Sequence, residues 1–175
     1  FLIFICISCS VLAQKHQKFL DAGIKLITEE KYELAIAELK NAISAGPKVA
    51  ENYYQRGRCY LNLGNNSDAQ KDFDKAVELE PTNALYYNLS GMAYENLNDT
   101  ANAVSNFKQA ISLDSTDYKP YSNLTHILEA QQKYKNALEI INTALKRNSK
   151  EPSLYVSKGS LLQALNDTAG AISNY

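Results

Sequence analysis

Aromatic and small side chains return along this chain of 175 residues with a constant period of 34. Each period has an aromatic residue and, four positions later, a small residue. Residues four positions apart lie on one face of a helix. The aromatic series is Phe19, Tyr53, Tyr87, Tyr121 and Tyr155, and the second series is Gly23, Gly57, Gly91, Thr125 and Gly159. Because the register continues without insertion from about His16 to the end, it predicts a tandem array of similar units.

Each unit is predicted to contain two helices joined by a short turn. In the second unit the pattern predicts helices over 50–63 and 67–79, with a turn that begins at Gly64. A short polar side chain in this turn can accept a hydrogen bond from the first N–H groups of the second helix. The candidates for that cap are Asn66, Ser67 and Asp68.

Small residues in the same unit predict a close approach of its two helices. Gly57 and Ala69 occupy little space, so that the backbones of the two helices can come near each other. Tyr53, Tyr60 and Phe73 are predicted to fill the remaining gaps, where aromatic surface contributes most to packing. One such hairpin cannot bury its apolar face alone, whereas stacked hairpins share a continuous core.

The stretch YYQRGRCYLNLGNNSDAQKDFDKAVELEP, from Tyr53 to Pro81, resembles a tetratricopeptide repeat. The resemblance implies an all-α fold, a right-handed α-solenoid of tandem helix-turn-helix repeats. It is nearly as good in the third unit and weaker in the first, whereas the fourth departs most, with Thr125 in place of glycine. The predicted repeats are 16–49, 50–83, 84–117, 118–151 and an incomplete fifth, 152–175.

Arrays that resemble this one bind a partner peptide in a concave groove lined by the first helices of the repeats. The side chains expected to line that groove are Leu20, Ile24, Tyr54, Arg58, Leu61, Asn88, Met92, Glu95, Ser122, His126 and Glu129. Arg58 can pair with a carboxylate through two hydrogen bonds, and Tyr54 can act as a rigid anchor. Leu20 and Ile24 are apolar where one subset of the family has a clamp for C-terminal carboxylates, so binding of chaperone tails is not carried over.

The array therefore predicts a protein–protein interaction scaffold and not an enzyme. Its partner is expected to be another protein or a peptide. A second hypothesis makes the chain the accessory region of a larger envelope protein or enzyme, whose active domain lies beyond residue 175. A third makes it a spacer without a ligand.

Residues 1–13 carry no charged side chain and resemble the apolar core of a secretory signal peptide, with cleavage expected after Ala13. The chain begins with Phe1 and ends at Tyr175 without a polar capping helix, so we expect the natural protein to continue at both ends. Export to the periplasm or the extracellular space is predicted, without a transmembrane span in the mature chain. A lipid anchor on Cys9 is the minor alternative.

Charge and motifs narrow the range of chemistry. A net charge of −1 argues against broad capture of nucleic acid. His16 and His126 have no second ligand at metal-binding spacing, Cys59 is interpreted as a small buried side chain, and neither a catalytic motif nor a cofactor fingerprint occurs. The sequences around Thr100 and Thr168 resemble an O-glycosylation site of some bacterial envelope proteins.

Overall fold

The computed structural model describes the backbone of residues 2–174 and the side chains of residues 14–174. That part of the chain forms ten α-helices and no strand. They are α1 (Leu2–Thr28), α2 (Tyr32–Ala45), α3 (Ala50–Asn62), α4 (Asn66–Leu79), α5 (Ala84–Asn96), α6 (Thr100–Leu113), α7 (Lys119–Ala130), α8 (Tyr134–Arg147), α9 (Pro152–Ala164) and α10 (Thr168–Ile172). The predicted all-α architecture of helical hairpins is confirmed.

The side chains of the signal-peptide-like segment 1–13, with Cys9, lie outside the described residues. Its cleavage, export and lipidation therefore stay predictions. Among the helices that the structure describes, none combines the length and the apolar character needed to cross a membrane.

Contacts divide the chain into two units, residues 1–86 and residues 87–175. The core of the first unit contains Leu20, Ile36 and Leu39 beside Cys59, with a second cluster around Ala50, Ala76 and Tyr86. The core of the second unit contains Phe107, Leu124 and Ile127, and a further cluster around Tyr121, Ile141, Leu154 and Leu161. Each unit therefore buries its own apolar side chains between consecutive helices.

The predicted close approach within a hairpin is confirmed. A Cβ atom on Gly57 would lie 2.8 Å from the Phe73 ring, and one on Gly91 would lie 2.6 Å from the Phe107 ring. Glycine is required at these positions because the fully buried phenylalanine of the next helix occupies the space of a side chain.

The turn after the first helix of each repeat contains one residue with a left-handed backbone. These residues are Glu30 (φ 57°), Gly64 (φ 74°), Asn98 (φ 61°), Gln132 (φ 57°) and Asn166 (φ 64°). Glycine and asparagine tolerate this conformation, whereas glutamate and glutamine adopt it at a cost of ~1–2 kcal/mol.

We expect Gln132→Gly to raise the free energy of unfolding by about 0.5–1 kcal/mol, since relief of the left-handed strain exceeds the extra entropy that glycine loses on folding. Urea denaturation followed by circular dichroism measures the change. Asn98→Gly is the matched control, because asparagine already accepts this conformation, and its effect should be smaller. A Gln132→Gly protein that is less stable than the wild type would contradict the assignment.

The prediction of which residue caps the N-terminus of α4 is wrong. Asn65 is the N-cap residue, and its side chain makes no capping hydrogen bond. Because α4 begins at Asn66, the three residues predicted as caps already belong to its first turn. Aspartates fill this role elsewhere: Asp99 accepts from the backbone N–H of Asn102 at 3.2 Å, and Asp167 accepts from that of Gly170 at 2.9 Å.

The tyrosines at the start of three repeats tie consecutive hairpins together. The Tyr53 hydroxyl donates to the carbonyl oxygen of Pro47 at 3.0 Å. At the same positions in later repeats, Tyr121 donates to Ser115 at 3.3 Å and Tyr155 donates to Ser149 at 2.9 Å. Each bond joins the first helix of one repeat to the end of the preceding repeat.

Candidate functional site

Two predicted groove residues of the first unit, Tyr54 and Arg58, lie in contact on α3. The Arg58 guanidinium carbon lies 5.5 Å from the centre of the Tyr54 ring, within the range of a cation–π interaction. The Tyr54 ring in turn packs on the Tyr86 ring, with 5.3 Å between centroids and 36° between planes. Three side chains from two helices therefore form one stack.

A chain of hydrogen bonds runs beside this stack and fixes the direction of Arg58. Its Nη1 donates to Gln55 Oε1 at 3.0 Å, and Gln55 Nε2 donates to Glu51 Oε1 at 2.6 Å. The Tyr86 hydroxyl donates to Glu51 Oε2 at 3.4 Å. Burial raises the pKa of Tyr86 well above its ordinary value, and the Glu51 carboxylate acts in the same direction, so the phenol remains a donor.

Arg58 keeps donors for a ligand. A guanidinium has five N–H groups in a planar fork, and the bond to Gln55 uses one of its nitrogens. The side chain is half-buried on the helix surface, held from one side by Gln55 and from another by Tyr54. This arrangement pre-orients a cation for a carboxylate at little further cost in side-chain entropy.

Two predicted groove residues of the second unit, Asn88 and Met92, are less accessible than expected. Asn88 is only 3% exposed, and its Oδ1 accepts a 3.0 Å hydrogen bond from Asn123 Nδ2, which joins α5 to α7. Met92 is half-buried and packs on the core cluster of Phe107. Both side chains contribute mainly to helix packing.

Glu95 and His126 lie together at the surface of the second unit. His126 Nδ1 is 2.9 Å from Glu95 Oε1, and the histidine side chain is 74% exposed. Glu129 lies nearby, and burial raises the pKa of its carboxyl while His126 lowers it. The His126 side chain is therefore accessible to a ligand.

Two predicted groove residues lie on α1. Leu20 is 6% exposed and belongs to the core of the first unit, and Ile24 is half-buried and packs against that core. The prediction that Leu20 lines the groove is therefore wrong. Leu20 was predicted from an offset of one residue from the core position Phe19, but on α1 it packs against Ile36 and Leu39 of α2.

The remaining candidates have structural contacts. His16 Nε2 lies 2.9 Å from Asn52 Oδ1, and the buried Asn52 amide donates to the Gly46 carbonyl at 2.9 Å. Cys59 is fully buried, and burial raises the pKa of its thiol to about 11, so the thiol is protonated at neutral pH. Among the described side chains, no group of three histidines, cysteines or carboxylates could hold a metal ion.

Thr100 and Thr168 are exposed, each directly after the aspartate that caps its helix. Their glycosylation stays a prediction.

Models of known protein families match two adjoining segments of the chain. A profile described as tetratricopeptide repeat matches residues 50–83, and a second with the same description matches residues 84–117. Residues 50–117 of this chain are tetratricopeptide repeats. Both matched segments begin and end at the repeat boundaries predicted from the 34-residue register.

Curated relatives match over short segments. The Hsp70-Hsp90 organizing protein of Triticum aestivum is 37% identical over 62 residues, which are 35% of this chain and 11% of that protein. The SGT1 homolog of Oryza sativa subsp. japonica is 39% identical over 54 residues, which are 31% of this chain and 15% of that protein. The matched segments thus span less than a fifth of either relative.

Solved structures match over nearly the whole chain. The MamA protein superposes with a TM-score of 0.80 at 22% identity and covers 93% of this chain and 88% of its own. Pseudomonas aeruginosa PilF gives a TM-score of 0.82 at 18% identity, with 94% and 75% covered. YrrB, described as a tetratricopeptide protein with an unusual peptide-binding site, gives 0.70 at 17%, with 89% and 80% covered. At these identities the likeness shows the tetratricopeptide-repeat solenoid fold alone.

Proposed function

We propose that this chain is a protein-interaction scaffold that binds a segment of a partner protein on the Tyr54–Arg58 surface. The observation that carries the proposal is the orientation of Arg58 by Gln55 on one side and by the Tyr54 ring on the other. A cation fixed in this way beside stacked aromatic rings offers both a charge and an apolar platform, which is the usual composition of an interaction hot spot.

The surface favours a partner segment with a carboxylate. A carboxylate accepts two parallel N–H groups from a guanidinium, an arrangement that a neutral acceptor does not reproduce. The half-buried Tyr54 ring, which is supported from below by the buried Tyr86 ring, provides an apolar surface for an adjacent side chain. Support for the binding of a segment also comes from YrrB, which has a similar fold and a described peptide-binding site.

The test is the double replacement Arg58→Glu and Tyr54→Ala. Peptides selected on the wild-type protein from a random displayed library serve as the probe, and fluorescence anisotropy measures their affinities. We expect the double variant to bind these peptides at least about tenfold more weakly, because it loses both the carboxylate partner and the anchor.

Two controls make this result interpretable. Lys40→Glu changes the same charge at an exposed position of α2 and should leave the affinities unchanged. Arg58→Glu alone keeps the packing of the two tyrosines, so that a loss of binding cannot be attributed to unfolding. Unchanged peptide binding by a double variant with wild-type helicity and melting temperature would disprove the proposal.

A further inference from the structure

A second surface lies in the unit of residues 87–175, between α6 and α8 and above α7. It is a groove of about 320 Å³, at the lower end of the ~300–1,000 Å³ range of ligand pockets. Its apolar lining consists of Val104, Leu124, Ile127, Leu128 and Ile140. We call it the α6–α8 groove.

The repeat register shows what distinguishes this groove. In the second repeat, the corresponding positions are Arg56, Tyr60 and Asp72. Arg56 donates two hydrogen bonds to the buried Asp72, and its guanidinium lies 5.8 Å from the centre of the Tyr60 ring. Polar and aromatic side chains thus occupy that position in the first unit.

The fourth repeat has aliphatic residues at all three of these positions, Leu124, Leu128 and Ile140. The third repeat has Ser90, Tyr94 and Asn106 there. Leu124 is buried at the floor of the groove, and Leu128 and Ile140 are half-buried at its wall. The groove therefore offers an apolar lining where the second repeat has polar groups, and a ligand that covers this lining removes apolar surface from water.

Charge around the groove indicates the chemistry of its occupant. Lys133 lines the groove at the turn between α7 and α8, next to a helix start that has no side-chain cap. The helix dipole favours an anion at this end. Lys108 and Glu139 line the α6 and α8 sides and offset each other in charge.

We propose that the α6–α8 groove binds a partner segment in which a bulky aliphatic side chain stands next to an acidic one. The aliphatic side chain packs on Leu124, Leu128 and Ile140, and the carboxylate lies at Lys133. This inference goes beyond the Tyr54–Arg58 surface and does not depend on it. On α7, Leu124 and Leu128 share one face, whereas His126 lies half a turn away on the other.

The test uses two short synthetic peptides as probes. Both carry two leucines four positions apart, flanked by glutamates in one peptide and by lysines in the other. Fluorescence anisotropy measures their affinities for the whole chain. The glutamate peptide is expected to bind about tenfold more tightly than the lysine peptide.

The matched variant closes the groove with residues that the fold already accepts in the first unit. Leu124→Arg, Leu128→Tyr and Ile140→Asp together reproduce the cluster of Arg56, Tyr60 and Asp72. Binding of the glutamate peptide should fall at least about tenfold in this variant, whereas Lys40→Glu, which changes the charge of an exposed side chain on α2, should leave it unchanged.

Lys133→Glu is a second variant. It changes only an exposed side chain and therefore leaves the packing of the core unchanged. It should reverse the preference between the two peptides. Equal affinities of the wild type for both peptides would overturn the proposal, as would glutamate-peptide binding that neither variant weakens. Dimerisation in sedimentation experiments that the closing variant abolishes would assign the groove to a second copy of the chain and would also overturn it.

Discussion

Replacement of Arg56 by methionine is expected to lower the free energy of unfolding by about 3–5 kcal/mol, because it leaves the Asp72 carboxylate buried without its partner. Arg56 Nε donates to Asp72 Oδ2 at 2.7 Å and Nη2 donates to Oδ1 at 2.6 Å. The two side chains are 19% and 6% exposed, so that water cannot replace the lost bonds. Urea denaturation of both proteins measures the difference.

The Arg56–Asp72 ion pair should add little to the free energy of unfolding compared with two apolar side chains of similar volume. Burial raises the pKa of Asp72 even though the bonds from Arg56 act in the opposite direction, so the desolvation of this carboxyl offsets part of the gain from the ion pair. The double variant Arg56→Leu and Asp72→Ile, which places the Leu124 and Ile140 pair in the second repeat, is therefore expected to recover most of the stability lost in Arg56→Met.

Two outcomes would contradict this account of the ion pair. One is a double variant as unstable as Arg56→Met, which would mean that the charged pair itself stabilises the hairpin. The other is an Arg56→Met protein as stable as the wild type. Lys71→Met is the matched control, because it removes a cation from the exposed pair with Asp68 and should change stability little.

Phe107→Ala is expected to lower the free energy of unfolding by about 3–5 kcal/mol, because it empties the space that a fully buried ring fills beside Gly91. The reciprocal change Gly91→Ala should cost about 1–3 kcal/mol, since its Cβ would lie 2.6 Å from the ring. Thermal and urea unfolding of each variant measure these losses.

The fourth repeat indicates how the two positions compensate. It has Thr125 where the third repeat has Gly91, and the smaller Ile141 where the third has Phe107. The double variant Gly91→Thr and Phe107→Ile should therefore lose less stability than the sum of its single variants, as expected for residues in contact. Additive losses would show that the two positions do not share one volume. Gly64→Ala is the control for backbone strain alone, because no atom lies within 4 Å of its added Cβ.

Much of the fold could be predicted from the sequence because a repeat shows its structural requirements several times. Gly57 and Gly91 recur at a fixed distance from Phe73 and Phe107, and the structure places each glycine against its phenylalanine. The cap of α4 was missed because several polar residues are adjacent in that turn. A shift of one residue in the helix start decides which of them is the N-cap.

The candidate site could be predicted only in part. Tyr54 and Arg58 lie four positions apart on one helix, so periodicity alone places them together. Tyr86 and Gln55 were missed, because their roles depend on contacts with Tyr54 and Arg58 that no local pattern specifies.

The charged residues were the least predictable. Asp72 has the spacing of an ordinary surface carboxylate on a repeat helix, and only its neighbours show that it is buried. Asn88 likewise has the register of a groove residue but lies against Asn123. One signal in the sequence could have indicated the α6–α8 groove: the change from Arg56 and Asp72 to Leu124 and Ile140 at equivalent positions.

The side-chain hydrogen bonds that connect neighbouring repeats also bear on how the chain acquires its structure during synthesis. His16 and Asn52 are 36 positions apart, and the pairs Glu51–Tyr86 and Asn88–Asn123 are each 35 positions apart. Only short loops must close to form such contacts, so the entropic cost of each closure is small. A repeat can therefore find its native neighbours as soon as one further repeat has left the ribosome, and the array can fold progressively from its N-terminal end.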